Sequence, residues 1–460
     1  IEEDGGEVLA EGDCDNSHAT KYKKRVTDKK NLEASNAFFA AFVEEVHKRG
    51  MKVILDGVFN HCGSFNKWLD RERLYEDSFS YEKGAFVDKD SPYRSFFKFR
   101  EDEWPYNTKY DGWWGHDTLP KLNYEESDKL FRFIMRIAKK WIAPPFKVDG
   151  WRLDVAADLG NSEEFNHKFW KEFRRVVKEQ NPNAIILAEH YGDASPWISG
   201  GEWDSVMNYD AFMEPITWFL TGMEKHSDAY RGDLLGNDEE FWASMRRYST
   251  RFICQSAQVA MNELSNHDHS RFLTRTNHTV GRITYMSQDA ANQNVNRARM
   301  MAGVFFQMTW IGAPTVYYGD EAGVCGWTDP DNRRTYPWGR EDKEMIECHR
   351  ELIRIHKDYR ALRVGSTLRL YSERNLISYG RFDDTDSIFV LIYIGNEEKD
   401  IEIPVWRMGL GGRTVMVKLA ESTREGFSLS TEIKRSENGM FHVHVKPDSA
   451  LMWKNLYSKS

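Results

Sequence analysis

Residues 147–156 read Lys-Val-Asp-Gly-Trp-Arg-Leu-Asp-Val-Ala, an apolar run that breaks on an acid at Asp154. The run Lys147 to Leu153 predicts a short buried strand, because a compact apolar stretch bounded by turn-prone residues is too brief for a helix. Helical spacing follows over Glu163 to Glu179, and a second run, Ala184 to Ala188, closes on Glu189. Strand, helix and strand in succession make a βαβ unit, whose two strands lie parallel in one sheet. Upstream, the amphipathic stretch Ala34 to Arg49 carries Phe38, Phe39, Phe42, Val43 and Val46 at helical intervals and leads into Val53-Ile54-Leu55. Downstream, Ser205 to Tyr209, Val259 to Leu264 and Pro314 to Tyr318 read as further strands, with a helix over Asn296 to Met308. About six strands alternating with helices predict an α/β fold built around a parallel sheet.

Each polar cluster falls at or just past the end of one of these runs: Asp56 to His61, Asp154, Glu189, and Asn266 to Arg271. In a barrel of parallel strands the carboxyl ends share one face, and that face carries the active site. The segment Cys62 to Asn123 exceeds an ordinary βα loop, and its aromatic content predicts a small ordered excursion over that face. From about Gly365 the pattern turns to short alternating stretches, among them Leu376 to Phe382, Ser387 to Ile394, Arg413 to Lys418 and Met440 to Val445. These predict an antiparallel β-sandwich. The expected organisation is a catalytic barrel over residues 1–365 and a sandwich over 366–460.

Retaining cleavage of a glycosidic bond needs two carboxyl groups about 5 Å apart, one ionised to attack carbon and one protonated to release the leaving oxygen. Asp154 and Glu189, a 35-residue step apart, would stand on adjacent strands. Arg152 projects to the same side as Asp154, where a guanidinium would keep that carboxylate ionised. The apolar run before Glu189 would bury it and keep it protonated. Asp268, between His267 and His269, could steady the positive charge of an oxocarbenium-like transition state. Each acid alone would more often be a cap or a salt-bridge partner; the joint pattern carries the reading.

Four blocks give the chain its resemblance to the α-amylase superfamily, glycoside hydrolase family 13. They are Asp56-Gly57-Val58-Phe59-Asn60-His61, Gly150-Trp151-Arg152-Leu153-Asp154-Val155-Ala156, Glu189 after its apolar run, and Asn266-His267-Asp268. Leu119-Pro120-Lys121-Leu122-Asn123 is similar to a segment of the neopullulanase and cyclomaltodextrinase branch, and Gly312 through Glu321 to the family's eighth strand. The resemblance implies a (β/α)8 TIM-type barrel with Asp154 as nucleophile, Glu189 as acid/base and Asp268 as transition-state stabiliser. It also implies that Arg152, His61 and His267 hydrogen-bond the sugar being cleaved, that Asp56 supports the floor of the site, and that Asp329 and Arg333 hold the next sugar. Of the pair Trp113 and Trp114, Trp114 is the candidate for a flat sugar-binding face. Asn60 matches a calcium-linked position, so a structural calcium is a candidate there, while the chemistry itself requires no cofactor. The family's first two strands have no counterpart before Ala34, and six strands cannot close an eight-stranded barrel without open edges. The expectation is that an upstream segment or a second chain completes it.

The formal charge of -9 excludes the concentrated basic field that nucleic-acid binding needs. Lys21, Lys23, Lys24 and Arg25 are interrupted by Tyr22 and read as a solvated face. Five scattered cysteines show no metal-type pairing. The apolar stretch Met301 to Tyr318 is broken by Gln307, Gly312 and Pro314, which predicts a buried helix and strand and not a membrane span. No signal-peptide pattern occupies the N-terminus, and cytoplasmic and secreted settings both fit. The function expected is hydrolysis of α-1,4 and also α-1,6 glucosidic bonds in starch-type glucans. A 4-α-glucanotransferase using the same intermediate and a non-catalytic glucan-binding relative are the alternatives.

Overall fold

A computed structural model describes residues 26–457, so Cys14 and the basic residues Lys21 to Arg25 lie outside the described residues. The described chain forms two compact units: one runs to His190 and takes in Pro196–Asp204, and the other comprises Tyr191–Ser195 and everything from Ser205.

The first unit is built on three parallel strands, β1 (Ile54–Gly57), β2 (Gly150–Leu153) and β3 (Ile185–Ala188). Asp56 pairs with Arg152, and Arg152 with Leu187, so the predicted βαβ step is present in register. Three helices feed these strands: α1 (Lys29–Lys48), α2 (Asp128–Ile142) and α3 (Glu163–Gln180). Asp28, Ser127 and Ser162 start them by accepting the backbone N–H groups of Lys30, Leu130 and Phe165, which a first helical turn would leave unbonded. α2 buries Leu130, Ile134, Met135, Ala138 and Ile142, and α3 buries Phe169, Trp170, Phe173 and Val177, each set recurring at helical spacing.

Two carboxylates brace the strands from below. Asp149 accepts the Val53 N–H at 2.9 Å and a bond from Lys52 Nζ at 2.9 Å, with His47 Nε2 at 2.7 Å. Asp204 accepts from the Ile186 N–H at 2.9 Å, from Arg174 at 2.7 Å and from Lys178 at 2.8 Å, tying β3 to α3. Gly150 cannot be replaced without movement, since a Cβ there would sit 2.3 Å from the Ile185 carbonyl oxygen. Among the described residues β1 pairs only with β2, and Ile54, Val58 and, on α1, Phe38 and Phe42 are exposed.

The excursion between β1 and α2 is ordered, as predicted, although it contains only short 3-10 turns and isolated bridges, including His61 with Lys121 and Gly112 with Pro120. Aromatic packing and buried polar groups replace regular ladders there: Phe96 and Phe97 are buried, and the enclosed Asp70 carboxylate accepts the Leu74 and Tyr75 N–H groups.

In the second unit β4 (Ser205–Val206), β5 (Met261–Glu263) and β6 (Ala313–Thr315) stand at the predicted places but are shorter than expected. The chain leaves β4 early because Tyr209–Met213 winds into a π-type turn, and Val259 ends a short helix instead of opening a strand. β5 and β6 pair in parallel, and Met207 bridges Met261 in the same sense. The helices α4 (Glu214–Thr221), α5 (Asp238–Ser249), α6 (Arg297–Thr309) and α7 (Lys343–Asp358) surround them. Almost every side chain of α6 is buried, which is why its apolar residues fall on every face, with Arg299 and Gln307 enclosed among them.

The C-terminal strands are β7 (Ser366–Glu373), β8 (Leu376–Phe382), β9 (Ser387–Tyr393), β10 (Lys399–Pro404), β11 (Val415–Thr423), β12 (Gly426–Leu429), β13 (Ile433–Arg435), β14 (Met440–Val445) and β15 (Ser449–Asn455). An antiparallel sheet runs in the order β12-β11-β15-β9-β8-β7 with β13 on β11, and β10 pairs with β14. Leu391, Leu451 and Trp453 from the larger sheet share a core with Ile403, Phe441 and Val443 from the smaller, the arrangement of a sandwich. On the other face Ile388, Val390 and Met452 pack with Phe305 and Phe306 of α6.

Candidate active site

In the first unit the predicted polar residues gather past the carboxyl ends of β1 to β3. The Asp154 N–H donates to Gly57 O at 3.1 Å and the Glu189 N–H to Leu153 O at 2.8 Å, so both acids continue the ladder and leave the sheet side by side. Arg152 holds them together. Its Nη1 donates to Asp56 Oδ1 at 2.9 Å and to Asp154 Oδ1 at 2.8 Å, while Nη2 lies 2.9 Å from Glu189 Oε2. The guanidinium was expected to serve Asp154; it serves three carboxylates, so burial is what distinguishes the pair. Glu189 is 5% exposed, whereas the Asp154 side chain is 22% exposed. Burial works against the Arg152 charge, but Glu189 and Asp56 outweigh it and push its pKa well above the ordinary guanidinium value.

Val155, just after Asp154, adopts the left-handed region at φ 37°, a conformation costly for a β-branched residue. That turn aims the Val155 N–H at Glu189 Oε2, 3.2 Å away. Backbone strain therefore sits between the two acids, where it fixes their relation.

His61 is buried at the end of β1 and stacks on Trp113, with ring centroids 5.0 Å apart and planes 11° apart. Trp113 donates from Nε1 to Asp158 at 2.8 Å and stacks on Trp114 in turn at 5.0 Å. Trp114 is 80% exposed at φ 49°, so a strained backbone presents its ring as the open end of a three-ring stack. Burial lowers the His61 pKa, with Asp154 and Asp158 opposing, which favours the neutral imidazole. The Leu119 to Asn123 block is placed beside His61: Leu122 N–H donates to Asn60 O at 3.1 Å, and Lys121 bridges His61.

The second unit gathers its own set. Asn266 is buried after β5, and its Oδ1 accepts the Asp268 and His269 N–H groups, each at 3.0 Å. This turn sets Asp268 beside His267, whose Nε2 lies 3.6 Å from Asp268 Oδ2. Arg333 joins them, donating from Nε to His267 O at 3.0 Å, with Nη2 3.6 Å from Asp268 Oδ1 and Nε 2.9 Å from Asp329 Oδ1. The predicted Asp329 and Arg333 pair is thus formed, and it faces Asp268.

Sequence reasoning missed the supports of this loop. Asn332 donates to Asn266 O at 3.0 Å and to His269 O at 2.7 Å. Arg271, fully buried, donates to Asn332 O and Tyr318 O and pairs with Asp320 at 2.9 Å. Partners separated by 47 to 66 residues leave no local spacing from which to find them.

At Asn60 the Oδ1 atom is buried and without a hydrogen-bond partner among the described residues. One such oxygen falls far short of the six to eight that calcium takes. The oxygens shown at Asn60 do not make a calcium shell.

The family model described as "Alpha amylase, catalytic domain" matches residues 34–365. An amylopullulanase of Thermoanaerobacter thermohydrosulfuricus is 31% identical over 444 residues, covering 87% of this chain and 29% of the relative. Neopullulanase 2 of Thermoactinomyces vulgaris is 32% identical over 375 residues, covering 81% of this chain and 56% of the relative. The chain thus spans from under a third to a little over half the length of these curated relatives. Among solved structures, a debranching enzyme from Nostoc punctiforme superposes with a TM-score of 0.72 at 26% identity, covering 91% of this chain and 79% of the other.

Proposed function

Because the chain belongs to the α-amylase family, and has its TIM-type barrel fold with a C-terminal antiparallel sheet, we propose that it hydrolyses α-1,4 and α-1,6 glucosidic bonds of starch-type glucans with retention of configuration. Maltooligosaccharides, pullulan and cyclodextrins are the substrates this reading includes, in keeping with the names of the relatives. Residues 1–365 carry the reaction in this reading, and 366–460 form an accessory module.

In this mechanism Asp154 attacks the anomeric carbon while Glu189 protonates the departing glycosidic oxygen, giving a covalent glycosyl-enzyme. Water, deprotonated by Glu189, then releases the sugar and restores Asp154. Asp268 stabilises the positive charge that develops on the ring, acting where charge appears and not on the resting substrate. Arg152 fixes the two reacting acids, and Asp56 fixes Arg152. His61 and His267 hydrogen-bond sugar hydroxyls, Trp114 offers a stacking face, and Asp329 with Arg333 engages the neighbouring sugar. No step needs a cofactor.

The observation that carries the reading is the single guanidinium joining Asp154 and Glu189 at the ends of adjacent strands. The test is Asp154→Asn, expected to lower kcat on maltotriose by at least about a thousandfold, some 4 kcal/mol of barrier, with an unchanged circular dichroism spectrum. Turnover retained by the folded variant would remove Asp154 from the mechanism.

A further inference from the structure

The second unit contains a cavity of about 170 Å³ between α4 and α5 that includes none of the residues assigned to cleavage. Trp218 and Tyr248 contribute half-buried aromatic rings to its lining, with Asp210, Glu214, Glu240 and Arg247 around them. We propose that this cavity is a second saccharide site, holding one glucose unit of a glucan, with the identity of the sugar resting on the function proposed above.

Size comes first. Pockets for drug-sized ligands occupy about 300–1,000 Å³, so this cavity suits something nearer a single ring. Its polar groups are mixed in a way that selects a neutral polyol. On the donor side, Trp218 Nε1, Tyr248 Oη and the Arg247 guanidinium form no hydrogen bond or ion pair with another described residue. On the acceptor side stand Asp210 and Glu240, the latter accepting only from Ser244 Oγ at 3.2 Å. An anion would meet the Asp210 and Glu240 carboxylates, Glu214 being held by Lys225, and a cation would meet Arg247. A sugar hydroxyl both donates and accepts, so it can use both sets at once.

The aromatic pair supplies the other half of sugar recognition, a flat face for the C–H surface of a pyranose ring. Arg251 lies over the Tyr248 ring at 5.2 Å, which helps fix the ring's orientation in advance. Burial, helped by the like charge of Glu214, raises the Asp210 pKa against Lys225, Arg251 and a backbone hydrogen bond from Gly192, which leaves the carboxyl group with acceptor capacity to spare. Asn237 is already used, capping α5 through the Glu240 N–H, so the site does not depend on a bare helix end.

The experiment is calorimetric titration of maltose into the full chain carrying Asp154→Asn to stop turnover. Two binding events are expected, and adding Arg247→Ala with Glu240→Gln should weaken one of them by about tenfold or more, the loss expected for hydrogen bonds to charged groups. Both residues are exposed on α5, and a thermal unfolding midpoint monitors the fold. Tyr248→Phe, which keeps the ring and removes the hydroxyl, gives a second variant with a smaller loss. Tetramethylammonium, a probe of aromatic and acidic cages, should not bind. A single binding event in the parent, two unchanged events in the double variant, or displacement of maltose by tetramethylammonium would each overturn the proposal. Hydrolysis by the chain with Asp154 intact is measured separately, so failure of the catalytic reading and failure of this site give different results.

Discussion

At the residue scale two of the first unit's six described non-glycine residues with positive φ stand where its chemistry is proposed to happen. Val155 and Trp114 both hold positive φ, one between the two acids and the other at the open end of the His61 stack. Exposure without strain would need no explanation, but an exposed tryptophan in a left-handed conformation must be held there by its surroundings. Trp114→Ala is therefore expected to leave the unfolding midpoint nearly unchanged and to raise KM for maltooligosaccharides about tenfold, the equivalent of one stacking contact. A change confined to kcat, measured by steady-state kinetics, would show that the ring does not bind ground-state sugar.

At the element scale the three-stranded sheet of the first unit depends on contacts that no propensity records. The Ile185 carbonyl approaches Gly150 so closely that Gly150→Ala should cost several kcal/mol or prevent folding, read as a lost or sharply lowered urea midpoint. Asp204 is the polar counterpart. Burial disfavours its charge, but Lys178, Arg174 and the Ile186 N–H outweigh burial and hold its pKa below the usual carboxylate value. A carboxylate whose folded pKa lies below its unfolded value of about 3.9 stabilises the protein above that pH and loses the contribution as pH falls toward the folded value. Asp204→Asn should therefore lower stability by about 2 kcal/mol at pH 7. The gap between variant and parent should narrow in urea unfolding at pH 3. An equal gap at both pH values would mean that packing, not charge, is what Asp204 supplies.

At the scale of the whole molecule the proposed mechanism sets water and a second sugar in competition for one glycosyl-enzyme intermediate. Hydrolysis predicts that maltotriose yields only shorter sugars, followed by chromatography of the products over time; longer oligosaccharides would identify a glucanotransferase. Amylose, pullulan and cyclodextrin compared side by side then fix linkage and chain-length preference. No helix among the described residues is long and apolar enough to cross a membrane.

Local sequence was enough for the βαβ frame, the place of all six parallel strands, the antiparallel C-terminal module and the acids at strand ends. These follow from apolar periodicity and from the rule that a parallel strand delivers its next residue to a common face, both of which act over a few neighbours. Lost from that view were the length of β4, cut short by the turn at Tyr209, and the sharing of Arg152 among Asp56, Asp154 and Glu189. The same holds for the hidden brace of Arg271, Asn332 and Asp320 beneath the Asp268 loop. Pattern determines which face a side chain takes; only folding decides which of several distant groups it meets there, because hydrogen bonds and ion pairs are satisfied by proximity in space, and a chain carries no local mark of its remote partners.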